Sequence, residues 1–197
     1  LPFSKIPDWA ILIHLGFGST RNAENSMIEL YEKICGVKLA YDGVLAKSQK
    51  ESEALWEVRE KIPEANRKIG AIGSHDISLP LSNISTFIDR AQSELSKIGQ
   101  FRINCFGHLG DGNLHFNVFP ESGKTKDQYA SQRDVIESLV HDLTTGLEGS
   151  FSAEHGIGRS KVKDLIKYSS PVKLDLMRKL KDLFDPNGIM NPGVILK

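Results

Sequence analysis

The sequence is short of cysteine. Its 197 residues hold only Cys35 and Cys105, with no metal-binding spacing between them. A disulfide framework is excluded, and a reducing compartment, the cytoplasm, is expected. Charge of one sign is not in excess either, because Lys+Arg and Asp+Glu stand at 25 each and no like-charged block occurs. Nothing therefore points to nucleic acid or to an acidic membrane surface. No apolar run is long enough to span a bilayer, and the first residues lack the basic region and apolar core of a signal peptide. Repeats and low-complexity tracts are missing, as is an initiator Met. The opening "LPFSKIPDWAILIHLGFGS" soon enters a strand-like run and reads as if cut from something longer.

What is present suits a globular chain. Hydrophobic residues make up 40% and charged residues 25%, enough to bury a core. Trp9 to Phe17 reads as a buried strand. Asn22 or Asn25 caps a helix running to about Cys35, and Gly36 sits just past its end. Val37 to Leu45 contains a short strand. Ser48 opens a helix with Ala54, Leu55, Val58 and Ile62 on one face, which Pro63 kinks or ends. A short strand over 76–79, an amphipathic helix over 83–98 and a hairpin over 101–119 follow. Asp127 to Leu147 has the longest helical pattern. Ser150 and Phe151 are extended, a helix runs from about Ser160 to Lys167, and Ser170-Pro171 starts a last helix to Phe184. Strands separated by helices, plus an antiparallel hairpin, predict an α+β fold in one domain.

The hairpin carries the chemistry. "FGHLGDGNLHFNV" places two histidines symmetrically about Asp111-Gly112. A two-residue turn there needs positive φ at its centre, which Asp-Gly supplies. That turn sets His108 opposite His115, Phe106 opposite Asn117 and Asn104 opposite Phe119. The two histidines' Cβ atoms would then lie about 4.5–5.5 Å apart on one face. Two neighbouring imidazoles suit a borderline divalent ion such as Zn²⁺. The other reading is a histidine pair that packs or bonds to the backbone.

A second constellation, "SFSAEHGIGRSK", puts Glu154 and His155 in a glycine-rich turn before a helix. Glu154 could complete a two-His, one-carboxylate site, leaving His155 as a general base. Equally, Glu154 could serve a helix dipole while His155 is solvated. Trp56 and Arg59 share a helical face, where Arg59 could clasp a carboxylate bidentately or lie along the aromatic ring. His14 reads as a bonded core residue. His75 and His141 receive no role.

Together these motifs resemble the C-terminal domain of FAD-linked oxidases and dehydrogenases of D-2-hydroxy acids. That group includes D-lactate dehydrogenases, D-2-hydroxyglutarate dehydrogenases and the flavin subunit of glycolate oxidase. "GHLGDGNLH" at 107–115 and "SAEHGIG" at 152–158 carry most of the resemblance. "LWEVRE" at 55–60, "HDISLP" at 75–80 and "DPNGIMNPG" at 185–193 support it. It implies an antiparallel sheet covered by helices, broadly ferredoxin-like. His108, His115 and Glu154 match the family's divalent-metal ligands, usually for zinc. His155 matches the base that removes the 2-hydroxyl proton, Arg59 a carboxylate-holding arginine, and Asn117 a polar substrate contact. Asn191 lies in a terminal motif that packs near the flavin. Two positions depart from relatives: Ser74 stands where many carry lysine, and Pro63 where some carry threonine. Both argue against a second, distal carboxylate on the substrate.

The resemblance makes residues 1–197 a single substrate- and metal-binding domain whose N-terminal FAD-binding domain is absent from this chain. FAD would be held mainly by that missing domain, so the fragment alone is expected to bind it weakly and to be inactive. The implied partners are a small D-2-hydroxy acid, the FAD-binding domain of the same parent, an electron acceptor the sequence does not identify and, as an open option, a second copy of the chain. A zinc hydrolase using the same three ligands and a non-catalytic metal-binding domain are the competing readings.

Overall fold

The computed structural model describes residues 3, 5–16, 18 and 22–196. They divide into two compact units, 1–65 and 66–197. In the first, α1 spans Ala23–Gly36 and α2 spans Gln49–Glu60. Each starts where a polar side chain satisfies free backbone donors: Asn22 accepts from the N–H groups of Glu24 and Asn25, and Ser48 from that of Glu51. Neither helix buries a residue. Pro63 sits at the start of the next helix, α3, Ile62–Ile69, where its missing N–H costs nothing.

Two expected strands do not form here. Residues 9–16 carry no strand, with Ile11 72% exposed, and Phe17 lies outside the described residues. Val37 to Leu45 is turn and irregular chain. Apolar content favours a strand only where a neighbouring ladder pairs its backbone groups, and among the described residues neither stretch has one. His14 is exposed rather than core, and accepts a hydrogen bond from the Trp56 indole at 3.3 Å.

The second unit contains the sheet. Strands β1 (Gly73–Ser78), β2 (Phe101–Phe106) and β3 (Asn113–Pro120) pair antiparallel in the order β1-β3-β2. Helix α4 (Ile84–Ile98) joins β1 to β2, and α5 (Arg133–Gly146) follows β3. Ser150 then makes one antiparallel bridge to Ser78 on the outer side of β1. The order β-α-β-β-α, closed by that bridge, is a ferredoxin-like arrangement whose fourth strand has shrunk to a single pairing. The chain is α+β with an antiparallel sheet and covering helices, as expected. Helices α6 (Val162–Tyr168) and α7 (Pro171–Phe184) complete the unit, the latter capped by the Ser170 hydroxyl.

Strand alternation sorts the sheet into two faces. On one, Ile77, Leu114, Phe116 and Val118 pack against Phe87, Ala91 and Leu95 of α4 and Ile136 and Val140 of α5. Cys105 faces the same core, and burial pushes its thiol up to about 12. His75 also lies on the α5 side, edge-on to His141 with ring centres 5.5 Å apart. The expected helix over 127–147 begins instead as a 3₁₀ segment over Lys126–Gln132 and becomes α-helical only at Arg133. The Gln128 side chain folds back to accept from the Thr125 N–H, which favours the tighter start.

Candidate functional site

The other face of the sheet is largely polar, and of the expected residues His108, His115, Asn117, Glu154 and His155 collect there, whereas Arg59 and Asn191 do not. The hairpin register differs from the symmetric one by two residues. Phe106 faces His115 and Asn104 faces Asn117, so His108 lies beyond the ladder rather than opposite His115. The cause is the tip. Leu109–Asp111 forms a 3₁₀ turn and Gly112 adopts a left-handed φ of 65°. A broad connection of this kind consumes residues that a two-residue turn would have left paired. Since the shift is even, every side chain keeps its expected face.

Asp76 organises the site. Its register partner is His115, and its carboxylate is 9% exposed. Oδ1 accepts from the Asn113 amide at 2.8 Å and lies 3.6 Å from His115 Nδ1. Oδ2 accepts from the backbone N–H groups of Glu154 at 2.7 Å and His155 at 3.0 Å. Burial alone would push this carboxyl up. The two backbone donors, the Asn113 amide and His155 outweigh it and hold the group below its ordinary range. One carboxylate thereby ties the loop of Glu154 and His155 to the hairpin, although neighbouring sequence would never have joined them.

Glu154 is drawn over His115 and His108. Its Oε1 is 3.3 Å from His108 Nδ1, and its Oε2 is 3.8 Å from His115 Nε2. One ligand atom each from Asp76, His115 and Glu154 lies within 4.8 Å of the other two. His108 joins through Glu154 and stands outside that tight group. Its side chain is 52% exposed and that of Glu154 47%, against 20% for His115. The site is therefore anchored on its sheet side and open on the other. His155 borders it, with Nε2 4.0 Å from Asp76 Oδ2 and its ring centre 6.4 Å from that of His115.

Asn117 follows His115 on the same face and is buried, its amide donating to the carbonyls of His115 and Asn104 at 3.2 and 3.4 Å. Asn191 is exposed with a φ of 47°, and its carbonyl accepts from the Val194 N–H. Arg59 is half-buried on α2 in the first unit. Asp76 and Asn113 are the residues that motif spacing missed. The available signal was an aspartate placed where strand alternation directs it to the polar face.

Chemically, this is a cluster of imidazole and carboxylate donors of the kind that binds divalent cations. The family profile "FAD linked oxidases, C-terminal domain" matches residues 4–195. The chain belongs to this family. The FAD-linked oxidase match covers both compact units. Among curated proteins, the chain is 37% identical over 196 residues to the mitochondrial D-2-hydroxyglutarate dehydrogenase of Bos taurus, covering 99% of this chain and 35% of that one. It is 33% identical over 195 residues to the mitochondrial D-2-hydroxyglutarate dehydrogenase of Arabidopsis thaliana, covering 99% and 34%. With the D-2-hydroxyglutarate dehydrogenase of Stutzerimonas stutzeri (strain A1501) it shares 36% identity over 156 residues, 78% of this chain and 33% of that one. The chain thus spans about a third of the length of these relatives. Among the described residues, no helix is long and apolar enough to cross a membrane.

Proposed function

We propose that this chain is the substrate- and metal-binding part of an FAD-dependent dehydrogenase that oxidises a D-2-hydroxy acid to the 2-oxo acid. The observation that carries the reading is the Asp76 carboxylate, which brings Glu154 and His155 against the histidine-bearing hairpin. Relatives named as D-2-hydroxyglutarate dehydrogenases make that acid the first to test. The lactate and glycolate type stays in view because Ser74 and Pro63 depart from residues linked to a distal carboxylate.

His108, His115 and Glu154 would hold a divalent ion, zinc by donor chemistry. The fit rests on the Glu154 contacts of 3.3 and 3.8 Å to the two rings. Asp76 faces His115 Nδ1 and leaves Nε2 toward Glu154, the arrangement in which an outer carboxylate fixes the tautomer of a ligating histidine. Such an ion would lower the pKa of a substrate hydroxyl beside it. His155 accepts that hydroxyl proton, Asn117 supplies a rigid polar wall, and Arg59 anchors a carboxylate bidentately. FAD would take the two electrons in the parent protein. Asn191 lies toward the flavin in this reading. Val172, Leu176 and Leu180 are exposed along α7 and suit burial against the flavin-binding part. A reducing compartment fits two free cysteines, whether cytosol or mitochondrial matrix.

The test uses the full-length parent. D-2-hydroxyglutarate or D-lactate should bleach its flavin absorbance. H155A should lower the rate of that bleaching about 100-fold or more while metal content persists. E154Q should lose the rate together with the ion of the Glu154 cluster, read as one metal equivalent fewer than the parent. Full-rate bleaching in H155A would remove its role as base, and ester hydrolysis without bleaching would favour the hydrolase reading.

A further inference from the structure

A second group of donors lies on the opposite, helix-covered side of the sheet. Glu137 and His141 are one helical turn apart on α5, so both side chains leave the same face. Asp164, in the first turn of α6, meets them there, and one ligand atom from each lies within 4.8 Å of the other two. His141 is 1% exposed, and its Nδ1 is buried without a hydrogen-bond partner. Yet that nitrogen is only 3.2 Å from Asp164 Oδ1. The two atoms are close but misaligned for a hydrogen bond. Such a separation matches the edge of a metal polyhedron: with metal–ligand bonds of about 2.0–2.2 Å, tetrahedral donors lie about 3.4 Å apart.

We propose that Glu137, His141 and Asp164 form a second divalent-metal site, distinct from the Glu154 cluster and independent of its function. One imidazole and two carboxylates suit Zn²⁺ or a neighbouring first-row ion, with water completing the shell. The surroundings match. His75 and Phe151 wall the His141 ring, with ring centres 5.5 and 5.4 Å away. The Asp164 side chain is 19% exposed, which leaves an entry path. Lys161 is the nearby competitor: its ammonium donates to the Phe151 carbonyl at 2.9 Å and is attracted electrostatically by Asp76, Asp164 and Glu137. With both carboxylates ionised, one ammonium leaves the cluster at a net −1, so a divalent ion is still favoured. The bound ion would staple α6 to α5 and satisfy an orphaned buried nitrogen.

The test is Zn²⁺ binding to chelator-treated chain, followed by native mass spectrometry and thermal unfolding. The E154Q background isolates the second site from the first. E154Q should still bind one Zn²⁺ equivalent and gain thermal stability from it. Adding D164N or E137Q should weaken that binding at least 10-fold and abolish the gain, with unchanged circular dichroism. Both positions are partly exposed, so these variants avoid the folding risk of replacing buried His141. Unaltered Zn²⁺ affinity in E154Q/D164N and E154Q/E137Q, or no Zn²⁺ bound by E154Q itself, would overturn the proposal. If the Glu154 cluster binds no metal, parent and E154Q will bind equally, and D164N will still decide the matter.

Discussion

At the scale of the residue, Asp76 does what no motif residue does alone. It gathers three hydrogen-bond donors from two distant segments around one buried carboxylate. Asp76→Ala should therefore strand the Glu154 and His155 N–H groups and the Asn113 amide. We expect a loss of about 2–4 kcal/mol in a denaturant titration, since hydrogen bonds to charged groups are each worth about 1.5–3 kcal/mol and water recovers part of the loss. Cys105 gives a second prediction. Burial moves its thiol from 9.0 to about 12, so the unfolded chain loses that proton first. Above pH 9 folding then weakens, by up to about 1.4 kcal/mol per pH unit until the folded thiol also ionises. At pH 8.5 Cys105 should resist iodoacetamide in the native protein and react on unfolding, as read by peptide mass spectrometry. Rapid native alkylation would contradict this.

At the scale of the element, the hairpin tip fixes the site. Gly112 has a left-handed φ, and a Cβ there would run into the Leu79 carbonyl. Its own carbonyl accepts from the Leu79 N–H at 2.9 Å, which holds the tip to the end of β1. Gly112→Ala should cost about 1–3 kcal/mol. It should also loosen the His108 loop, seen as faster amide exchange at residues 108–113 than in the parent. Helix α7 offers a simpler case. Ser170→Ala removes the acceptor for the Lys173 N–H and should cost about 1 kcal/mol by thermal or denaturant unfolding.

At the scale of the whole molecule, the buried cores of the described residues lie beyond residue 71. One cluster joins the sheet to α4 and α5, and a smaller one joins Phe151, Leu165 and Leu174. Residues 66–197 should therefore unfold cooperatively when produced alone, whereas 1–65, whose helices bury no residue, should not. Calorimetry of the two pieces reads this directly. A non-cooperative 66–197 would show that the cores depend on the first unit.

The sequence by itself determined the fold class, most helix starts and the face of every hairpin residue. Caps, prolines and alternation act over a few residues, so they are legible locally. It also marked His108, His115, Glu154 and His155 through two short motifs. Only the tertiary structure decided that 9–16 and 37–45 form no strand, because a strand needs a partner that local sequence does not name. It likewise decided the two-residue shift that takes His108 off the ladder, since the Leu109–Asp111 turn is held through Gly112 by contact with Leu79. And it decided the part of Asp76, 78 residues from Glu154 in sequence, whose charge draws that loop's N–H groups to β1.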